Sequence, residues 1–496
     1  MTNSNPTNYE SSKLSKRKLT RRNVLQLGAL GMTVPQWFAM QQAIAAPDPA
    51  TLKTRSIVNA QASQSSFGKA KRCIVMFAWG GMSHIDTFDM KPKAASNVRS
   101  AFSQIKTTTP GLHICEHLPH LAKQTHRMAI VRSVNHNAPS HRSAAYWNLT
   151  GHQPPKLGGN WAASRKDWPS LASMVWQGRD QITTSSTTDS KPSTRKALPG
   201  AVCLPYPMYD GGHANGQDGG FLGLSRDPVI VRPKKGTEYQ GKSPNYGNVD
   251  LSYIDGVDRQ RLLHRRSLVE SLDKSNALSS RGEVAGIERY QQQAMDMLLD
   301  DQMRKAFDLN NEPQAVHNKY GKHICGQSTL MARKLSEAGV PLVTVYCAAG
   351  DLNGSVGAHW DTHGNGFARL KNQMLPPMDQ ASAALLDDLH DRGTLDDTLV
   401  VWLTEFGRTP KIAGGGGRGH YPNVYTVAFA GGGIAGGQLY GSSNSTGAEP
   451  RDNACSPADL HATIFHALGI GQDFTLHDGD DRPLPACDGK PLPLFS

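Results

Sequence analysis

The sequence predicts an α/β protein built on one large, mainly parallel β-sheet with helices on both faces. Three observations predict it. Continuous apolar runs of strand length recur without alternation, as in strands buried on both faces of a parallel sheet. The runs alternate with segments of helical length. They end in glycine-rich or polar loops, and open α/β sheets gather their chemistry at the loops beyond the carboxyl ends of the strands.

Taken in order, Cys73 to Trp79 is an apolar run stopped by Gly80-Gly81 and is the first core strand. Met128 to Val134 is a second, leading through the polar loop Asn135 to Arg142 into a helix that ends at Thr150-Gly151. Residues 152–250 carry little periodicity and many Gly, Pro, Ser and Lys, so they read as long surface loops. Residues 256–308 have apolar positions at mixed helical spacings and read as a helical insertion. A helix from Gly326 to Ala338 precedes a strand over Pro341 to Tyr346, and one from Leu370 to Asp391 precedes a strand over Thr398 to Leu403. Asn423 to Ala430 is a further strand, closed by Gly431-Gly432-Gly433. Ser456-Pro457-Ala458-Asp459 opens the last helix with a capping serine, proline at the first helical position and an acid three residues on. The expected domain is therefore 70–475, preceded by a polar linker at 46–69 and followed by a tail at 476–496.

Residues 1–45 have a different character. An arginine pair, Arg21-Arg22, follows the basic lead Lys16-Arg17-Lys18 and precedes a short apolar stretch broken by Gly28, Gly31 and Pro35. This pattern predicts a twin-arginine export signal read by the Tat translocase, with cleavage after Ala45 and delivery to the periplasm or cell surface. The stretch is too short and too broken for a permanent membrane span. The formal net charge is +11, but residues 1–45 hold six Lys/Arg against one Glu and leave +6 on the remainder. Spread out with no basic run longer than a pair, that charge excludes a nucleic-acid reader and supports a mild attraction for anions. Seven cysteines without a CxxC do not make a disulfide scaffold or a thiolate metal site. One or two bridges are expected at most, with Cys455 and Cys487 the favoured pair.

Four strand ends carry polar clusters. They are Ser83 to Asp89, His136 to Arg142, His359 to Asn365, and Thr404 to Pro410 followed by a mobile Gly414 to Gly417 run and His420. Imidazoles and carboxylates brought together from several loops suit a divalent ion of the zinc or manganese kind. Any one of these residues alone would be read as a turn, a cap or an ordinary hydrogen bond. Their common position at one end of a single sheet favours a shared metal site holding one or two ions.

The segments Trp79-Gly80-Gly81-x-Ser83-x-x-Asp86-Thr87-Phe88-Asp89, Trp360-Asp361-Thr362-His363-Gly364-Asn365, Glu405-Phe406-Gly407-Arg408-Thr409-Pro410 and Gly431-Gly432-Gly433-Ile434 together resemble the secreted family called domain of unknown function 1501. That family in turn resembles the sulfatases and the wider alkaline phosphatase superfamily. The resemblance implies a large parallel sheet with a metal site at the strand ends. It implies Asp86, with Asp89 as substitute, as the acid after the first strand, and Asn137 to Ser143 as the nucleophile loop. It implies Asp361 and His363 as ligands, with His359 as a further candidate, Glu405-Phe406 at the position of an Asp-His dyad, and His420 as the last ligand. Two departures stand out. Asn137 occupies the reactive position of the formylglycine pattern, with Arg142 one place late, and Phe406 replaces a metal-binding histidine. The nucleophile is left open between Ser140, Ser143 and a metal-bound water, and a second ion would need His141 or His136.

The resulting expectation is an exported, metal-dependent hydrolase of phosphate or sulfate esters. Asp86, Asp361, His363, Glu405 and His420 are its expected metal ligands, Ser140, Ser143 and His141 its expected catalytic groups, and Arg408, Arg418 or Arg142 its expected grip on the anion. The substrate would be a small anionic ester or a sulfated or phosphorylated glycan. The alternatives are a catalytically silent protein of the same fold that binds a metal or an anionic glycan, and a structural envelope protein with no metal.

Overall fold

The structure, a computed structural model, describes residues 66–159, 161–186, 198–232, 305–347 and 359–496, with isolated positions between 260 and 300. The twin-arginine segment, the cleavage position and most of the expected helical insertion lie outside the described residues.

In chain order the strands are β1 (Arg72–Phe77), the hairpin pair β2 (Gln104–Lys106) and β3 (His113–Cys115), β4 (Met128–Val134), β5 (Ala201–Leu204), β6 (Val229–Ile230), β7 (Leu342–Tyr346), β8 (Thr398–Leu403), the short pair β9 (Gly407–Arg408) and β10 (His420–Tyr421), β11 (Tyr425–Ala430) and β12 (Gln438–Tyr440). Eight of them form one sheet in the order β12-β4-β11-β8-β1-β7-β5-β6. All its pairings are parallel except those of β11, which runs antiparallel to both β4 and β8. The expected mainly parallel sheet is therefore present, with one reversed strand in its middle.

Both faces are covered. Successive side chains of β1 point to opposite faces. On one face, Ser382 of the helix Leu375–Asp391 meets Met76 of β1 and accepts from Trp402 Nε1 of β8 at 2.9 Å. On the other, Val75 lines a small cavity with Leu149, Leu171 and Leu403. Residues Cys73 to Phe77 are at most 2% exposed, which explains why the strand reads as apolar without alternation.

Several expectations need correction. The stretch 152–250 is not only loop: it supplies the helix Leu171–Ser186 and the strands β5 and β6 at one edge of the sheet. Strands of four and two residues are too short to register as a period. The 476–496 segment is not a free tail, since Thr475–His477 pairs with Pro483–Pro485 and Leu492 and Leu494 are buried. The end of the expected linker is docked as well, with Gly68 N donating to His466 O at 3.0 Å. All seven cysteines are free thiols, so the Cys455–Cys487 bridge is not formed; Cys487 Sγ donates instead to Ala458 O at 3.1 Å.

Candidate metal centre

The carboxyl ends of β1, β4, β7 and β8 lie along one edge of the sheet, and described residues that follow each of them in the chain reach the site. After β1, Gly80 takes φ +113, and a Cβ there would stand 2.4 Å from Asp361 N. Only glycine lets the 359–361 segment cross so close, where Trp360 N donates to Trp79 O at 3.0 Å. After β4, the chain turns at Ser140 into the helix His141–Thr150, placing His141 in its first turn. After β8 come Thr404 and Glu405. His420 precedes β11, and because β11 is antiparallel its entry lies at the same edge as the exits of the others. The Gly414–Gly417 run, expected to be mobile, is held in a turn bridged between Ala413 and Gly417, and Asn365 N donates to Gly415 O at 2.9 Å.

These loops bring His141, Asp361 and His420 together, with one donor atom of each within 4.8 Å of the others. Asp361 Oδ1 lies 3.4 Å from His141 Nε2, 3.3 Å from His420 Nε2 and 3.1 Å from His363 Nε2, and the last two nitrogens are 2.9 Å apart. Ligands at about 2.0–2.1 Å around a tetrahedral zinc stand about 3.3 Å from one another, so this spacing fits a divalent cation.

The orientation of the rings supports the fit. His141 Nδ1 is 2.7 Å from Glu405 Oε1, which also accepts from Gly80 N at 2.9 Å. A carboxylate can only accept there, so Nδ1 carries the proton and Nε2 is turned to the cluster. That Nε2 is buried and makes no hydrogen bond. His420 Nδ1 likewise donates to Pro139 O at 3.0 Å, leaving Nε2 facing Asp361.

The electrostatics point the same way. Burial opposes charge on His141, yet the nearby Asp361 carboxylate and the charge and hydrogen bond of Glu405 outweigh it and raise the ring to about 9. Two carboxylates thus call for positive charge at this spot. Burial would also raise Asp361, but His141, His420 and the Arg408 charge hold it well below the usual carboxylate range. Burial lowers His363, which is half-exposed at the mouth of the site, and takes His359 down to about 4 together with Arg369, so both favour the neutral imidazole that binds metals.

The sequence-predicted residues divide as follows. Asp361, His363 and His420 come together as expected, joined by His141, which was expected to be catalytic. Glu405 does not face the cluster directly but holds His141 from behind. Asp86 is elsewhere: Arg418 binds it through two nitrogens at 2.8 and 3.0 Å, and Ser83 donates to it at 2.5 Å. Its substitute Asp89 pairs with Lys91 at 2.8 Å and Arg132 at 3.7 Å and accepts from Ser443.

None of the three expected anion grips is free. Arg408 is fully buried, with its donors on the carbonyls of Gly80, Gly81, Trp360 and Arg418 and on Asp361. Arg418 is tied to Asp86 and to the carbonyls of Val98, Thr409 and Pro410. Arg142 Nε and Nη2 both donate to Asp210 O. The serines lack a base. Ser143 Oγ reaches Ser140 O and Leu157 O, and Ser140 Oγ sits 2.7 Å from Ser143 Oγ. His136 is held on both sides by backbone, accepting from Ala138 N and donating to Glu405 O at 2.7 Å. Phe406 packs against His420 at 4.6 Å and His141 at 5.0 Å.

Fold and site together define an α/β protein with an imidazole–carboxylate cluster at the carboxyl edge of its sheet. The chain belongs to the family described as "Protein of unknown function (DUF1501)", which matches residues 70–493. Among solved structures it is similar to the PsFucS1 sulfatase from Pseudoalteromonas sp., with 12% identity over 91% of this chain and 76% of that one and a TM-score of 0.37. It is similar also to the phosphonate monoester hydrolase SpPMH from Silicibacter pomeroyi, with 11% identity over 85% and 76% of the two chains and a TM-score of 0.30. The lipoteichoic acid synthase LtaP from Listeria monocytogenes shares 12% identity over 87% and 78%, with a TM-score of 0.33. No curated protein matches the chain by sequence.

Proposed function

We propose that the protein is an exported, metal-dependent hydrolase of phosphate or sulfate esters, with a divalent ion of the zinc or manganese kind held by His141, Asp361, His363 and His420. The observation that carries this reading is His141 Nε2, which is buried, makes no hydrogen bond and is turned by Glu405 toward Asp361 and His420. An ion bound there would polarise an ester oxygen and bring the pKa of a water near 7. Glu405 keeps the His141 ring in register, Pro139 O does the same for His420, and Arg408 fixes Asp361. Trp79 and Phe406 flank His141 and exclude water from its sides, while half-exposed His363 opens the cluster to an incoming ester.

A small anionic ester or a sulfated or phosphorylated glycan is the substrate class that a cationic centre suits. Export through the Tat translocase to the periplasm or cell surface rests on Arg21-Arg22. Among the described residues no helix is long and apolar enough to cross a membrane. One observation favours the second reading, a silent metal- or glycan-binding envelope protein: Arg408, Arg418 and Arg142 are all engaged by the protein itself, and neither serine has a base. Metal analysis of the purified protein, followed by assay of the loaded protein on chromogenic phosphate and sulfate mono- and diesters, tests both. Turnover abolished by His141→Ala supports the hydrolase, bound metal without turnover supports the binder, and absence of metal overturns the hydrolase and the metal-binding form of the second reading.

A further inference from the structure

We propose that the Arg408 guanidinium is a built-in second cation of this centre, so that the cluster takes a single divalent ion; the inference rests on the metal reading above. Asp361 Oδ1 stands between two partners. On one side are the nitrogens of His141, His363 and His420, at 3.1 to 3.4 Å; on the other is Arg408 Nη2, at 2.6 Å. A carboxylate placed this way joins two cations, and here the protein supplies one of them. Arg408 is 0% exposed and is fixed by the carbonyls of Gly80, Gly81, Trp360 and Arg418, so it cannot swing away to admit a metal ion.

Among the described residues, no other carboxylate near the cluster is left to hold a second ion. Both oxygens of Asp86 belong to Arg418, and Glu405 is held by His141, the Gly80 amide and the Thr404 hydroxyl. Among the described residues His359, whose Nδ1 is buried without a hydrogen bond, is the remaining reserve. A second guanidinium lies beside it, Arg369, which donates to His359 O at 3.0 Å and to Asp361 O at 2.9 Å. With Asp361 and Glu405 negative and Arg408 positive, one divalent ion leaves the centre at a net charge of about +1, the sign that draws an anionic ester.

Titration of the metal-stripped full chain with Zn²⁺ by calorimetry, checked by elemental analysis after dialysis, reads the stoichiometry directly. One equivalent is expected for the native protein and none for Asp361→Ala. Arg408→Lys keeps the charge and should bind within about threefold of native affinity. Arg408→Met removes a repelling charge and should bind the ion at least about tenfold more tightly. Two equivalents in the native protein overturn this inference and leave the metal reading standing. Weaker binding by Arg408→Met alone also overturns it, since that is the behaviour of a residue that merely positions Asp361. No binding at all overturns the metal reading itself. Should Arg408→Met fail to fold by circular dichroism, the native stoichiometry and Arg408→Lys still decide.

Discussion

At the scale of single residues, the centre depends on where protons sit on two histidines. Glu405 and Pro139 O each take an Nδ1–H and so aim His141 and His420 inward. His141→Ala, Asp361→Ala and His420→Ala should each lower metal affinity at least about 100-fold, measured by competition with a chromogenic chelator. Glu405→Gln keeps an acceptor but loses the charge and should cost about 10- to 100-fold, whereas Ser140→Ala should leave metal content unchanged. Equal retention by all five variants would remove the centre. Asp361, His363 and His420 are legible in the sequence because each sits in a short polar motif between apolar runs. The placements of His141 and Glu405 are not, because nothing in the spacing tells which of two neighbouring groups faces the cluster and which lies behind it. Arg408 and Arg418 mislead for a similar reason: an arginine on a loop reads the same whether it meets solvent or several buried carbonyls and a carboxylate.

At the scale of elements, the loop after β1 is locked onto strand β4 by Asp89, which is 3% exposed beside Lys91 of its own loop and Arg132 of β4. Burial alone would raise its pKa, but those two charges and the Lys91 and Ser443 hydrogen bonds lower it below the usual value. A depressed carboxylate contributes stability above its unfolded pKa of about 3.9 and loses it as pH falls through the folded value. Urea midpoints should therefore drop between pH 5 and 3 in the native protein and drop less in Asp89→Asn, which should already be about 3 kcal/mol less stable at pH 7. Gly80→Ala should cost at least about 2 kcal/mol and lower metal affinity too, because its Cβ would collide with the Asp361 amide at a positive φ. A variant that kept native affinity would show that the crossing does not set the position of Asp361. The long strands β4 and β8 are read from the sequence to the residue, since each is buried on both faces. The direction of β11 is not written locally, for a strand looks the same in either sense, yet that reversal is what carries His420 to the site.

At the scale of the whole molecule, export and redox state meet. Arg21→Lys with Arg22→Lys should leave the precursor in the cytoplasm, because the Tat route reads the guanidinium pair and not its charge alone; normal accumulation outside would remove the signal assignment. The seven thiols described above then acquire a meaning. Six are buried, and burial pushes Cys115, Cys203 and Cys455 up to about 12 and half-buried Cys487 up to about 11. Almost no thiolate of these four exists at neutral pH, and the thiolate is the species that oxidises. The native protein should accordingly react slowly with Ellman's reagent, and guanidinium should release all seven groups; rapid labelling without denaturant would contradict the structure. An extended chain emerging into an oxidising compartment would have no such shelter, and its cysteines would pair before the sheet could close over them. Under the proposed Tat export, the packing that keeps these sulfurs reduced would have to be complete while the chain is still among reductants, so that its passage outward would be that of a finished body.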